Sequence, residues 1–153
     1  IVDRGDDLFA DGTPEFTSEI PERLPPVPLS LPVRRDVLLI AQEAMHNARR
    51  HSGARRVIVR LEPQGRKWRL TVTDDGTGIP EPAATPTPPP DRRRGLGLAS
   101  MRSRAGRLGA DLEWRPLPAG GTEVRLVFDP GAETASHDRA TRRDAGDAPQ
   151  SGA

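Results

Sequence analysis

The stretch Gln42-Glu43-Ala44-Met45-His46-Asn47-Ala48-Arg49-Arg50-His51 places an acid, an amide, arginines and histidines close together. At about 100° per residue, Glu43, Asn47, Arg50 and His51 fall within an arc of roughly 100° on a helix, with His46 beside them. Leu38, Ala41, Met45 and Ala48 occupy the other side, where a core would sit. Such a polar face suits a metal ion and phosphates better than plain solvation. Two glycine turns follow. In Asp74-Asp75-Gly76-Thr77-Gly78, Asp74 ends a strand and can accept a hydrogen bond from an amino group on a flat ligand. The glycines beyond it let that ligand lie against bare backbone. Gly95-Leu96-Gly97-Leu98 is expected to open a helix, where free N–H groups and the dipole favour a phosphate. Taken singly, the first turn also reads as an ordinary Asp-Gly turn and the second as packing or capping.

These groups need two helices and a hairpin to hold them. Residues 1–13 are acidic with little periodicity and are expected to be a linker remnant. An edge strand is expected from Glu15 to Ile20. Pro21, Pro25, Pro26 and Pro28 then impose an extended connection. Ser30 can cap the next helix with Pro32 in its first turn, and Ser52-Gly53 stops it after His51. Val57, Val59 and Leu61 alternate with Ile58 and Arg60, and Trp68, Leu70 and Val72 alternate again, so a hairpin turning over Glu62–Gly65 is expected. Six prolines and three arginines over 80–94 mark a mobile loop. Leu98, Met101, Ala105 and Leu108 recur at helical spacing, with Arg102, Arg104 and Arg107 facing away. Strands around Leu112 and Trp114 and around Val124, Leu126 and Phe128 complete the order, and 131–153 reads as a disordered tail. Trp68, Trp114 and Met101 are expected in the core and His46 in solvent. Helix–strand–strand–loop–helix–strand–strand gives an α+β two-layer sandwich.

Composition narrows the chemistry. With 34% hydrophobic and 29% charged residues, a core can form over roughly two thirds of the chain. A net charge of +1 gives no bulk electrostatic case for nucleic acid or an anionic membrane. The absence of Cys excludes disulfides, thiolate metal sites and a Cys nucleophile. No signal peptide and no apolar run near 18 residues is present, and a cytoplasmic piece is expected. The chain opens on Ile1 rather than Met, and a fragment of a longer protein is expected. Lys67 is the only lysine and sits by a turn, so neither a Walker-type loop nor a strand lysine of the eukaryotic kinase kind is available.

Together, the acid and Asn four apart, the Asp-x-Gly-x-Gly turn and the Gly-x-Gly-Leu turn resemble the GHKL (Bergerat-fold) ATP-binding superfamily. That superfamily joins DNA gyrase, the Hsp90 chaperone, MutL-type mismatch-repair ATPases and histidine kinases. The resemblance spans about residues 31–129. Glu43-x3-Asn47 with Arg50-His51 matches the N box, Asp74 to Gly78 the G1 box and Gly95 to Leu98 the G2 box, with Asp75 where many relatives have Asn. Gln42-Glu43-Ala44, the run Gly97 to Ala105, Leu108-Gly109-Ala110-Asp111-Leu112 and Gly120-Gly121-Thr122-Glu123-Val124 resemble the catalytic domain of nitrate-sensor-type bacterial sensor histidine kinases.

The resemblance implies a mixed, largely antiparallel sheet with helices on one face, in a domain over 14–130 whose ATP lid is 80–94. It implies an ATP:protein-histidine phosphotransferase using ATP and Mg2+. Asp74 would bond the adenine amino group, and Gly76 and Gly78 would shape the adenine slot. Asn47 would hold Mg2+ with help from Glu43. Arg50, His51, Gly95, Leu96, Gly97, Leu98 and Thr122 would complete the nucleotide site, Arg50 replacing the more usual Lys. The implied partners are a histidine-bearing dimerisation domain of the same protein and, through it, a response regulator, with no nucleic acid and no direct membrane contact. The parent could be membrane-anchored or soluble. His137 is a poor acceptor, and this piece is expected to bind ATP without a proper one. An alternative is an anti-sigma-type serine kinase or switch protein of the same fold, against which the Met101–Ala105 helix speaks.

Overall fold

The computed structural model describes residues 1–78 and 92–132, apart from the side chains of His51 and of 92–95. The elements run α1 (Val2–Leu8), β1 (Glu15–Glu19), α2 (Leu31–His51), β2 (Arg56–Gln64), β3 (Lys67–Asp74), α3 (Arg92–Leu108), β4 (Asp111–Pro116) and β5 (Thr122–Phe128). The expected lid (80–94), the tail beyond 132 and His137 lie wholly or mostly outside the described residues.

Ser30 starts α2 by accepting a hydrogen bond from the Val33 N–H at 3.4 Å, with Pro32 in the first turn. Gly53 follows its end at φ +61°, the left-handed conformation that suits Gly there. The strands form one sheet in the order β1-β2-β3-β5-β4, with β1 parallel to β2 and the other neighbours antiparallel. Alternation puts Val57, Val59, Trp68, Leu70, Val72, Leu126 and Phe128 on the face under the helices. Val33, Val37, Ile40, Ala41, Met45 and Ala48 of α2 and Met101, Ala105 and Leu108 of α3 close the core from above. This is the two-layer α+β sandwich, with a mixed sheet.

The other face of the sheet is charged. One row across all five strands reads Glu19, Arg60, Thr71, Arg125, Glu113. Arg60 bonds Glu19, and Arg125 bonds Glu113. Exposed pairs like these contribute little each. Their effect is to keep that face wet and the helices on the other.

Four expectations change. Residues 2–8 form a helix rather than a loose linker. Phe9 is buried and stacks on Phe16 with ring centroids 5.3 Å apart, and a Cβ at Gly5 would collide with the Phe16 ring. Arg49 donates to the Leu8 carbonyl at 2.5 Å and to Asp11 Oδ2 at 2.6 Å. A seven-residue helix is too short to show a period, and its anchors flank it. The hairpin turn lies at Gly65-Arg66, because β2 continues through Gln64 and Gly65 takes φ +62°. Helix α3 starts at Arg92, upstream of Gly95, consistent with the good helix propensity of arginine. Trp68 is in the core, but Trp114 is only half-buried, with the Arg102 guanidinium 5.0 Å from its ring centre.

Helix-to-helix registration rests on one buried carboxylate. Asp36 accepts from Arg107 Nη2 at 2.8 Å, Arg107 Nε at 3.1 Å and Arg104 Nη1 at 3.2 Å. Burial alone would raise its pKa; bonds and charge from Arg107 and Arg104 outweigh that and hold it below the usual range. Its contribution to stability is therefore present above the ordinary carboxylate pKa and lost as pH falls through the lowered folded value. Asp36→Ala is expected to destabilise the fold by about 1–2 kcal/mol at pH 7, both arginines keeping access to water. Urea unfolding of wild type and variant should converge in strong acid.

Candidate functional site

Helix α2 ends against the turn that follows β3, and Ser52 makes the junction. Its carbonyl accepts from the Thr77 N–H at 2.7 Å and from Thr77 Oγ1 at 3.2 Å. Gly76 lies so close beneath it that a Cβ there would overlap the Ser52 carbonyl. On the turn's other flank, Gly121 takes φ +93°, and a Cβ on it would run into the Asp74 carbonyl. Gly78, at φ +80°, faces the Gly121 carbonyl. Backbone from three segments thus meets beside Asp74 at distances that only glycine allows.

Asp74 is buried at the end of β3, paired in register with Thr122 at the start of β5. Its Oδ1 accepts from the Gly76 N–H at 2.9 Å. Desolvation pushes its pKa above the usual carboxylate value, against the opposing bonds from Gly76, Thr122 and Ser52. Asp75 behaves in the opposite way. Its Oδ1 accepts from the N–H groups of Arg55 and Arg56, each at 2.8 Å, and the Arg56 bond leads the effects that hold its pKa low. The first Asp is a poised acceptor; the second ties the turn to the start of β2.

On α2, Glu43 and Asn47 are half-buried one turn apart, and Arg50 is exposed a turn further on. Asn47 lies about 7 Å along the axis before Ser52. Glu43 reaches across to α3, where a Cβ at Gly97 would land on its carboxylate. This brings the acid of the first motif onto the glycines of the third. Gly95 and Gly97 lie inside α3 rather than at its start, and Gly97 is in the second turn. The free N–H groups of that helix end therefore lie upstream of Gly97, a correction to the helix start as read from sequence. Leu96 is 69% exposed, while Leu98 is half-buried against the core. His51 closes α2, its side chain outside the described part.

The structure thus groups Asp74, Gly76, Gly78 and Thr122 at one end of the sheet, and Glu43 with Gly97 between the helices. Asn47 and Arg50 occupy the stretch of α2 between these groups. Sequence reading missed Ser52 and Gly121 as parts of the site. Ser52 reads as a plain helix stop, and Gly121 only as part of a run shared with the family.

Comparisons with known proteins identify the family. The sequence profile of the histidine kinase-, DNA gyrase B-, and HSP90-like ATPases matches residues 33–132. The chain belongs to that family. Among curated relatives, the nitrate/nitrite sensor protein NarX of Escherichia coli K12 is 37% identical over 112 residues, 73% of this chain and 17% of NarX. NarQ of the same strain is 34% identical over 108 residues, 69% of this chain and 18% of NarQ. The chain spans about a sixth of the length of these relatives. In solved structures, the histidine kinase domain of the Erythrobacter litoralis EL346 blue-light activated kinase superposes with TM-score 0.63 at 23% identity, over 81% of this chain and 55% of that one. The catalytic domain of histidine kinase ThkA gives 0.61 at 18% identity, over 84% and 90%. These show the same fold. α1 and β1 precede the residues that the profile matches.

For a member of this ATPase family, the close backbone approach carries a testable cost. Gly121→Ala should lower stability by about 2 kcal/mol or more, from positive φ and collision with the Asp74 carbonyl, read as a fall in Tm. Asp74→Asn should do the reverse. The Asp74 carboxyl ionises less readily folded than unfolded, so stability is lost as pH rises from the unfolded pKa through the raised folded one. The uncharged amide avoids that loss and can still accept from Gly76. The ligand-free variant is expected to melt higher than wild type at pH 7, with the gap closing in acid.

Proposed function

We propose that this chain is the ATP-binding catalytic domain of a two-component sensor histidine kinase. It would donate the ATP γ-phosphoryl group to a histidine on a separate dimerisation domain of the same protein, for onward transfer to a response regulator. The supporting observation is Asp74, a buried carboxylate beside backbone that Gly76, Gly78 and Gly121 bring into close approach. A flat base fits such a surface, and an acceptor-only carboxylate selects an exocyclic amino group, as in adenine, over the carbonyl that guanine presents. Gly76 and Gly78 shape the slot, and Thr122 closes its end. From there the polar face of α2 runs through Arg50 and Asn47 to Glu43, an axial length of about 13 Å from Ser52. His51 belongs to the same phosphate side, with Gly95, Leu96, Gly97 and Leu98 at its far end.

Mg2+ fits the donor chemistry of this face. Asn47 offers an amide oxygen and Glu43 a carboxylate, hard ligands of the kind Mg2+ takes alongside waters and phosphates. When bound, the ion neutralises charge on the phosphates. The residues of the chain position the nucleotide, and positioning with charge neutralisation is most of what phosphoryl transfer needs. Glu43 packed on Gly97 is held by the helix pair. The names of the relatives, nitrate/nitrite sensors and histidine-protein kinase/phosphatases, point the same way. Among the described residues no helix is long and apolar enough to cross a membrane. We place the domain in the cytoplasm, attached to a parent that is anchored or soluble.

Calorimetric titration should show saturable binding of Mg–ATP and at least tenfold weaker binding of Mg–GTP. Asn47→Ala should remove the Mg2+-dependent part of the ATP affinity. A folded domain that binds neither nucleotide would overturn the proposal.

A further inference from the structure

The end of the helix pair far from Asp74 holds a cleft that the ATP reading does not use. Leu31, Pro32, Arg35 and Asp36 of α2 and Arg104 and Arg107 of α3 line a volume of about 400 Å³. Arg35 precedes Ser52 by about 25 Å along the α2 axis, so the cleft is separate from the nucleotide surface. Its charges do not balance. Three guanidiniums line it against one carboxylate, and Asp36 already accepts two bonds from Arg107 and one from Arg104. Arg107 also donates to Ser103 Oγ at 3.4 Å. Arg104 gives one of its five N–H groups to Asp36 and is half-buried. Arg35 is exposed and makes no ion pair among the described residues. On the open face of the sheet, by contrast, Arg56, Arg60 and Arg125 each meet a glutamate. The cationic excess is therefore local to the cleft.

We propose that this cleft docks an acidic peptide segment of a partner protein, with carboxylates on Arg35 and Arg104 and an apolar side chain against Leu31. Like charges gathered in one cleft repel, and an entering carboxylate relieves that repulsion. A guanidinium offers the forked donors that a carboxylate accepts in pairs. Leu31 borders the cleft and is 79% exposed, the most exposed large apolar side chain among the described residues. A lone exposed leucine is ordinary on a protein surface; this one gives an apolar foothold beside unbalanced charge. The concave shape favours a peptide over a lipid surface, and one leucine buries too little apolar area to hold the chain on a bilayer. The inference goes beyond the ATP reading and does not depend on it.

The test is fluorescence anisotropy of a labelled Glu peptide with one central Leu, titrated with the full 153-residue chain. A control peptide carries Gln in place of every Glu. Saturable binding of the Glu peptide is expected, weakened by added salt, with the Gln peptide about tenfold weaker or worse. Arg35→Glu should lower the affinity about tenfold, and Leu31→Ser should lower it as well. Both positions are exposed, so each variant should keep the wild-type Tm, and Arg35→Glu should keep the wild-type response to Mg–ATP. Arg104 is left in place because it clamps Asp36. A chain that binds no ATP leaves the peptide titration readable, so the two readings fail separately. No saturable binding of the Glu peptide overturns the inference. Equal binding of the Gln peptide does so too, as does undiminished binding by Arg35→Glu, which would seat the peptide elsewhere. Binding to phosphatidylcholine–phosphatidylserine vesicles but not to the Glu peptide would overturn it in favour of a membrane surface.

Discussion

The end of α2 rests on bare backbone, and the site depends on that contact. The Ser52 carbonyl sits against Gly76 and holds Thr77 by two bonds, while Gly121 closes on Asp74 from the opposite flank. Side chains at these positions would force the helix, the turn and β5 apart. Glycine makes the approach possible and gives up conformational entropy for it. The same contact sets the distance from the polar face of α2 to Asp74, so helix packing and the geometry of the candidate site are one constraint.

The helix pair supplies the second half of that constraint. Asp36, near one end of the pair, is clamped by Arg104 and Arg107; Glu43, near the other, lies on Gly97. The first contact is an ion pair with little water on the Asp side, and the second a steric fit. Together they fix how α3 lies along α2. Stability is not uniform over such a site. Burial raises the pKa of Asp74, so ionising it costs the ligand-free fold, a trade common at functional positions.

Much of this was legible in the sequence. The Val57–Leu61 and Trp68–Val72 alternations, the Ser30 cap and the Gly53 stop state their elements directly, because period and cap chemistry are local. The glycine and acid motifs pointed to Asp74, Gly76, Gly78 and Thr122, which the fold brings together at one end of the sheet. What stayed hidden depends on contacts between distant residues. The Asp36 clamp spans 68 and 71 positions, the distances in sequence to Arg104 and Arg107, and nothing near Asp36 announces it. Helix α1 is short and anchored by Phe9, Phe16 and Arg49 rather than by its own pattern. The early start of α3 was missed because Gly95 reads as a helix opener, while the arginines before it are good helix formers. Ser52 carries two meanings, and only the fold shows the second.

The most direct test of the account is a crystal structure of this domain with Mg2+ and a non-hydrolysable ATP analogue. The account places the adenine amino group against the Asp74 carboxylate, Mg2+ on Asn47, and the Ser52–Gly76–Thr77 junction unmoved from its position here. An analogue bound elsewhere, or a base seated in a slot from which Ser52 and Gly121 have drawn back, would contradict it.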